Sequence, residues 1–267
     1  MKKGIVLLTV VLTYALLVFG SAVAAYGACL GCPDWPLCYG SLLPPEQLGA
    51  QLEYIHRALA AITALFIFGT TFITHRDFKG LFLSKVGYLL SAFVIAQILI
   101  GGLTVILKMP FWVSMSHAFF GLSTFVLAVF VMKKFGDENF SIRIKSIPFW
   151  IFTLLFMQVL LGTAVRKANA GFSCGQDIFL CLGMPLNGDV LLQISHRIFG
   201  YFILLVSLLG LFDSSNRRVN VALFILIILI IAFGMLSVYS LLSPTMVSMH
   251  YALTLLAIGI SFWASVK

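Results

Sequence analysis

Glu53-Tyr54-Ile55-His56-Arg57 stands near the start of an apolar run, just past a cysteine-bearing loop, and Gln193-Ile194-Ser195-His196-Arg197 repeats the arrangement later in the chain. Each stretch is followed downstream by a second apolar run with a histidine near its start, in Met115-Ser116-His117 and Ser248-Met249-His250. The chain therefore reads as two halves, each carrying two histidines inside apolar segments.

Of the 267 residues, 61% are hydrophobic and 10% are charged. A soluble domain carries about a quarter charged residues, so the composition describes a multi-pass membrane protein. A net charge of +8 would also suit a nucleic-acid binder, but the cations sit in short connectors between apolar runs, which excludes that partner. A membrane helix needs about 20 mostly apolar residues. That criterion predicts eight helices, at roughly 4–25, 52–74, 84–107, 111–132, 147–165, 190–212, 219–241 and 244–266. Pro110, Pro148 and Pro244 stand at helix starts, where a missing N–H is harmless. His75 reads as a loop residue at the inner end of the second helix.

Twelve of the 17 Lys and Arg residues fall in one set of connectors, which the positive-inside rule assigns to the cytoplasm. Both termini are then cytoplasmic, and the cysteine loops, 26–51 and 166–189, lie on the outer side of the cell membrane. Lys2-Lys3, the first apolar run and Ser21-Ala22-Val23-Ala24-Ala25 also fit a cleavable signal peptide. The segment from Phe19 to Gly40 has a counterpart in the second half, however, which favours a retained helix.

The repeat is faint but ordered. Gly20 answers Gly162 and Cys32 answers Cys174 at an offset of 142, His56 answers His196 at 140, and Gly101 and His117 answer Gly234 and His250 at 133. A unit with an even number of helices repeats in the same orientation. The expected fold is an all-α membrane protein with eight transmembrane helices, arranged as two tandem four-helix bundles over 1–140 and 141–267, related by a pseudo-two-fold axis along the membrane normal.

All four histidines lie five to seven residues into inward-running helices, roughly 8–10 Å deep at the helical rise. A single membrane histidine can be a packing residue, but ionisable groups in the bilayer are costly and usually functional. Imidazoles paired across a bundle, with no carboxylate cluster, suit haem iron better than zinc or a di-iron centre. His56 and His117 form one candidate pair, and His196 and His250 the other. Arg57 and Arg197 read either as clasps for haem propionates or as snorkelling interfacial cations. Arg166 and Lys108 are further candidates for the same contact. Glu53 shares a helix face with His56, whereas the matching residue in the second half is Gln193. Glu53 reads as a proton carrier, as a helix-dipole residue or as a partner for Arg57.

Cys32–Cys38 and Cys174–Cys181 are expected to form a disulfide within each outer loop, either as staples or as redox-active pairs. Cys29 makes a Cys-x-x-Cys with Cys32 but has no His after it and no second pair near it. It reads as a free or packing thiol rather than a haem-attachment or zinc residue.

Together these residues resemble the heme A synthase family. The carriers are Cys32-Pro33-Asp34-Trp35-Pro36-Leu37-Cys38 with Gly40, Glu53-x-x-His56-Arg57, His117, Gln158-x-x-Leu161-Gly162 with Val165-Arg166, Ser195-His196-Arg197 and His250. They span essentially the whole chain. Departures fall at Ala24, where many relatives carry Arg, at Cys29, where glycine is common, and in the second loop, where Gly175-Gln176-Asp177-Ile178-Phe179-Leu180 replaces the Pro-Asp-Trp-Pro motif. The resemblance implies an oxidoreductase that converts the C8 methyl of heme O to the formyl of heme A by successive hydroxylation. By that analogy His56, His117 and Glu53 serve the substrate haem, and His196 and His250 ligate a resident heme B that passes electrons. Such a reaction calls for an electron donor (a quinone or a reductase). It also makes heme O synthase a candidate partner and a homo-oligomer a candidate assembly. The competing reading is a di-haem electron carrier resembling membrane cytochromes b. A membrane thiol-disulfide oxidoreductase would leave the histidines idle, and a transporter would place its polar groups nearer the midplane.

Overall fold

The structure is a computed structural model that describes residues 2–137 and 139–267. Eight α-helices make up most of it: α1 (Lys2–Ala25), α2 (Leu48–Asp77), α3 (Phe82–Ile106), α4 (Phe111–Lys134), α5 (Ile147–Lys167), α6 (Gly188–Gly210), α7 (Arg217–Tyr239) and α8 (Pro244–Ser265). Each is long and apolar enough to cross a membrane, and the described residues contain no β-strand. The chain is an all-α, multi-pass membrane protein.

The fold divides into two compact units, Met1–Phe140 and Ser141–Lys267. Within the first, α1 packs on α2, α2 on α3, α3 on α4, and α4 back on α1, closing a four-helix ring. The second repeats that neighbour pattern with α5 to α8. Helices consecutive in the chain are neighbours in each ring, as in an up-and-down bundle.

Helix ends are fixed by local chemistry. Ser146 caps α5 by accepting from the Phe149 N–H, and Asn187 caps α6 by accepting from the Val190 N–H. Arg143 donates to the Ala264 carbonyl near the end of α8, where a cation suits the helix dipole. The turn between α3 and α4 recurs between α7 and α8. Lys108 and Met109 are left-handed (φ 54° and 61°), as are Leu241 and Leu242 (φ 55° and 62°). In each turn the second of these residues donates five residues back, Met109 N to Thr104 O and Leu242 N to Ser237 O. The same non-glycine strain at an offset of 133 is a backbone record of the repeat.

Two sequence expectations shift. His75 lies in the last turn of α2 rather than in a loop, with its Nδ1 2.5 Å from the Tyr88 hydroxyl. Helix α2 also starts at Leu48 instead of 52, which places Ala50 inside the helix, packed against the Cys32–Cys38 disulfide. His56 and His196 therefore stand eight residues past the first residue of their helices, and His117 and His250 six past theirs.

Threonines are buried throughout unit 1 without breaking its helices. Thr13 and Thr63 return their hydroxyls to carbonyls of their own helix, satisfying the group where no water is available. Thr71 instead bridges helices, donating to the Gly87 carbonyl and meeting the Ser91 hydroxyl, each at 2.7 Å. Interhelical bonds of this kind contribute about 0.6 kcal/mol on average and up to ~1.7. Thr71→Val should therefore lower unfolding stability in detergent by that order, and Thr63→Val should do so by clearly less. Equal losses would show that the α2–α3 bond is not what Thr71 contributes.

Candidate functional site

Each histidine rests on a glycine of the helix before its own. A Cβ built on Gly20 of α1 would lie 2.9 Å from His56 Cε1, and one on Gly101 of α3 would lie 3.1 Å from His117 Cε1. Gly162 of α5 and Gly234 of α7 meet His196 Cε1 and His250 Cε1 in the same way, each at 3.1 Å. An added methyl group would collide with the imidazole at Gly20 and crowd it at the other three, so four helix pairs make four cradles of one design. All four rings are half-buried.

The nitrogens of these rings are poorly satisfied for packing residues. Among the described residues, Nδ1 of His56 and His196 is buried and has no hydrogen-bond partner, whereas buried polar groups are normally paired. Nδ1 of His117 makes no bond of normal geometry, although the Gln97 backbone lies close enough to act on its ring. His250 differs, since its Nδ1 lies 2.7 Å from the Ile230 carbonyl. A carbonyl only accepts, so Nδ1 carries the proton and the Nε2 lone pair is left available, the arrangement common for metal-ligating histidines. The His196 and His250 rings meet edge to face, with centroids 6.4 Å apart and planes inclined at 70°. An iron held by a nitrogen from each side, through bonds of about 2 Å, needs a separation of roughly 6 Å. His56 lies close enough to His117 to act on it electrostatically. Among the described residues no three His, Cys, Asp or Glu side chains converge as a metal cage. The spacing of His196 and His250 would suit a haem iron held between them, and the glycine cradles leave room for the rings to seat.

Above each first histidine sits a disulfide loop. Cys32–Cys38 and Cys174–Cys181 are both formed. The first packs on Ala50 and Tyr54, the second on Val190 and Ile194. Residues 51–60 and 191–200 share the same burial pattern position by position. Within this common frame, Glu53 and Gln193 are both buried, at 4% and 5% exposure, and they behave differently. Glu53 Oε2 accepts from the Cys32 N–H at 2.9 Å, and Oε1 accepts from Arg57 at 2.6 Å. The Gln193 amide donates to the Gly171 carbonyl at 3.1 Å and leaves its Oε1 buried without a partner.

The two arginines follow suit. Arg57 donates to the carbonyls of Cys32, Asp34 and Leu37 as well as to Glu53, so its guanidinium ties the loop to the carboxylate. Arg197 donates to the Asp177 carbonyl at 2.8 Å, and its Nη2 is buried with no partner. Arg166, in the last turn of α5, lies near enough to Tyr251, the residue after His250, to act on it electrostatically. Trp35 extends the first loop onto α3, where a Cβ on Gly102 would lie 2.9 Å from its indole, beside the Gly101 cradle. Cys29 is half-buried and stands outside both disulfides.

Asp177 is a residue whose role the sequence reading missed. In the first loop Asp34 accepts from the Tyr39 and Gly40 N–H groups at 2.6 and 2.7 Å. In the second, Asp177 accepts from the Phe179 and Leu182 N–H groups at 2.7 and 2.9 Å. The signal was present, since each aspartate stands four residues before the second cysteine of its loop. The Gly40 N–H foremost, then the Tyr39 N–H and the Arg57 charge, hold the Asp34 carboxyl below the usual carboxylate range. For Asp177 the Phe179 N–H has the largest effect in the same direction.

Comparison with known proteins points one way. The chain matches the COX15-CtaA family, described as cytochrome oxidase assembly protein, over residues 3–51, 46–131 and 132–262. It is 31% identical to a heme A synthase of Geobacillus thermodenitrificans over 112 residues, which is 42% of this chain and 35% of that one. It is 27% identical to a heme A synthase of Exiguobacterium sibiricum over 197 residues, 68% of this chain and 64% of the relative. With a heme A synthase of Staphylococcus aureus the identity is 25% over 252 residues, 82% of this chain and 79% of the relative. The match thus spans about a third and just under two thirds of the first two relatives, and about four fifths of the third.

Two outcomes follow from this geometry. Gly234→Val should push the His250 ring from its cradle and lower the haem-to-protein ratio of the purified protein, with Gly234→Ala less severe; unchanged ratios in both would show that the cradle is not needed. A depressed aspartate pKa stabilises the loop above the unfolded value of about 3.9, and that stabilisation is lost as pH falls through the folded value. The ratio of the reduction rate of Cys32–Cys38 in Asp34→Asn to that in the parent, measured with a water-soluble phosphine at each pH, should therefore shrink toward one below roughly pH 4. At pH 7, Asp34→Asn should reduce faster than the parent at this disulfide alone.

Proposed function

Since the chain belongs to the COX15-CtaA family of cytochrome oxidase assembly proteins, we propose that it is a heme A synthase, an oxidoreductase that converts the C8 methyl of heme O to a formyl group by successive hydroxylation. Heme O is the substrate of the first unit, and a resident heme B occupies the second. The observation that carries this reading is the contrast between Glu53 and Gln193 in surroundings that otherwise repeat. Two equal electron-transfer sites give no reason for a carboxylate beside one histidine pair and an amide beside the other.

In the first unit, His56 and His117 flank the substrate. Glu53, one turn before His56, can take up and release a proton, which an amide cannot do. Arg57 and the Cys32 N–H hold both carboxylate oxygens, so the group stands in one orientation. The four bonds of Arg57 use its two terminal nitrogens, which leaves the Nε–H as the donor for a propionate contact. Trp35 and the disulfide loop cover this end of the bundle and help exclude water from it.

In the second unit, His196 and His250 hold heme B, which when bound supplies one-electron transfer toward the substrate. The Ile230 carbonyl fixes the tautomer of His250. The unpartnered Nη2 of Arg197 offers a donor for a haem propionate, and Arg166 adds charge at the same end. Gln193 gives this half an amide, which carries no exchangeable acid proton, where the first half has a carboxyl group. The termini face the cytoplasm and the disulfide loops the outer side. Electrons come from a quinone or a reductase, and heme O from its synthase.

The test is haem extraction with mass analysis after co-expression with a heme O synthase. The parent should yield heme B together with heme A or its hydroxylated precursor. Glu53→Gln should retain heme B and accumulate heme O, with formyl product reduced by roughly 10²-fold or more, the scale of a lost acid–base group. Heme B alone in both proteins would overturn the synthase and leave a di-haem electron carrier.

A further inference from the structure

Helix α3 touches the His117 ring at two edges. Gly101 cradles Cε1 and Nδ1, and one turn earlier Gln97 places its amide nitrogen 3.3 Å from His117 Nε2. The amide N–H donates and the ring nitrogen accepts. The other amide atom, Gln97 Oε1, is buried without a partner. Space for this side chain comes from Gly121, one turn after His117, where a Cβ would lie 2.9 Å from the Gln97 nitrogen.

The second unit keeps the glycine cradle, at Gly234, but lacks the amide contact. At the offset of 133 that relates Gly101 to Gly234, Gln97 becomes Ile230 and Gly121 becomes Thr254. Thr254 is buried and returns its hydroxyl to the His250 carbonyl at 2.7 Å. The Ile230 carbonyl takes Nδ1 of His250, and among the described residues nothing hydrogen-bonds Nε2. Gln158, the comparable amide of α5, donates to the His196 backbone carbonyl at 2.8 Å and stays off the ring nitrogens. One histidine of the four has its Nε2 engaged by a side chain, and it belongs to the unit assigned the substrate.

We propose that Gln97 is a positioning residue that competes with haem iron for the Nε2 lone pair of His117, so that the haem of the first unit exchanges while that of the second stays. The inference rests on the two-haem reading above. A lone pair serves one partner at a time, so iron binding at His117 must first displace the amide. A net hydrogen bond corresponds to roughly a two- to tenfold change in an equilibrium constant. The change is larger if the displaced amide stays buried and unpaired. A substrate haem must leave as product in every cycle, and release is a common rate-limiting step. A resident cofactor has no such requirement, and Ile230 imposes none.

The test uses the full chain in detergent, loaded with hemin as the probe, and follows haem transfer to excess apomyoglobin. The parent should show a fast and a slow phase, with His56→Ala removing the fast one. Gln97→Leu and Gln97→Ile should slow the fast phase roughly two- to tenfold and raise the low-spin fraction of that haem, leaving the slow phase unchanged. The slow phase doubles as a fold check. Where it moves in those variants, Gln97→Asn, which keeps the amide but shortens its reach, is judged by the same criterion. A fast phase unchanged or quickened, beside an intact slow phase, overturns the role of Gln97 alone. A parent with a single phase that neither His56→Ala nor His117→Ala alters overturns the two-haem reading and this inference with it.

Discussion

An imidazole inside an apolar helix bundle needs a neighbour that comes close without filling its place, and in this chain that neighbour is a glycine backbone each time. The contact fixes much else. It brings the two helices of a hairpin together at one level, and it sets the ring against a flat wall with little rotational freedom. A larger side chain at Gly20, Gly101, Gly162 or Gly234 would push the ring toward the space a ligand needs. The two units use the same device, so differences in chemistry between them must come from what surrounds the rings.

Those differences lie at two levels. At the loop end, Glu53 knits Arg57 and the backbone of Cys32 into one network, whereas Gln193 leaves Arg197 with an unused donor and itself with an unused acceptor. Deeper in the bundle, Gln97 meets a ring nitrogen where Ile230 offers only a backbone carbonyl to the other edge of its ring. Unsatisfied polar atoms in a low-dielectric interior are expensive. Their concentration around the histidines, together with well-satisfied threonines elsewhere in unit 1, marks where a ligand completes the structure.

Much of this was legible in the sequence. Apolar run length gave eight helices to within a few residues, and loop spacing gave both disulfides, because each rests on a local rule. The glycine repeat was visible, but its purpose was not, since small residues also serve plain helix packing. Arg57 carried two readings, a propionate clasp and an interfacial cation, and its bonds to the loop carbonyls were not legible because those carbonyls become neighbours only when the Cys32–Cys38 ring closes. Asp177 was hidden by a degraded motif in which only the capping aspartate survives. Gln97 carried no signal of its own, since contact with His117 is made between helices and no period or spacing encodes it. His75 was misplaced by a polar cluster, His75-Arg76-Asp77, that ends a helix rather than beginning a loop.

The glycine–histidine contact joins the two helices of a single hairpin, α1 with α2, α3 with α4, α5 with α6 and α7 with α8, whereas the meeting of His196 with His250 joins different hairpins. During biogenesis the four hairpins can insert into the bilayer one after another, each with its imidazole already seated, before any of them has found its partner. Assembly of a bundle then consists of bringing two finished half-sites face to face. A haem arriving at that stage would act as the clasp between hairpins, so cofactor supply and the maturation of the membrane fold become one event.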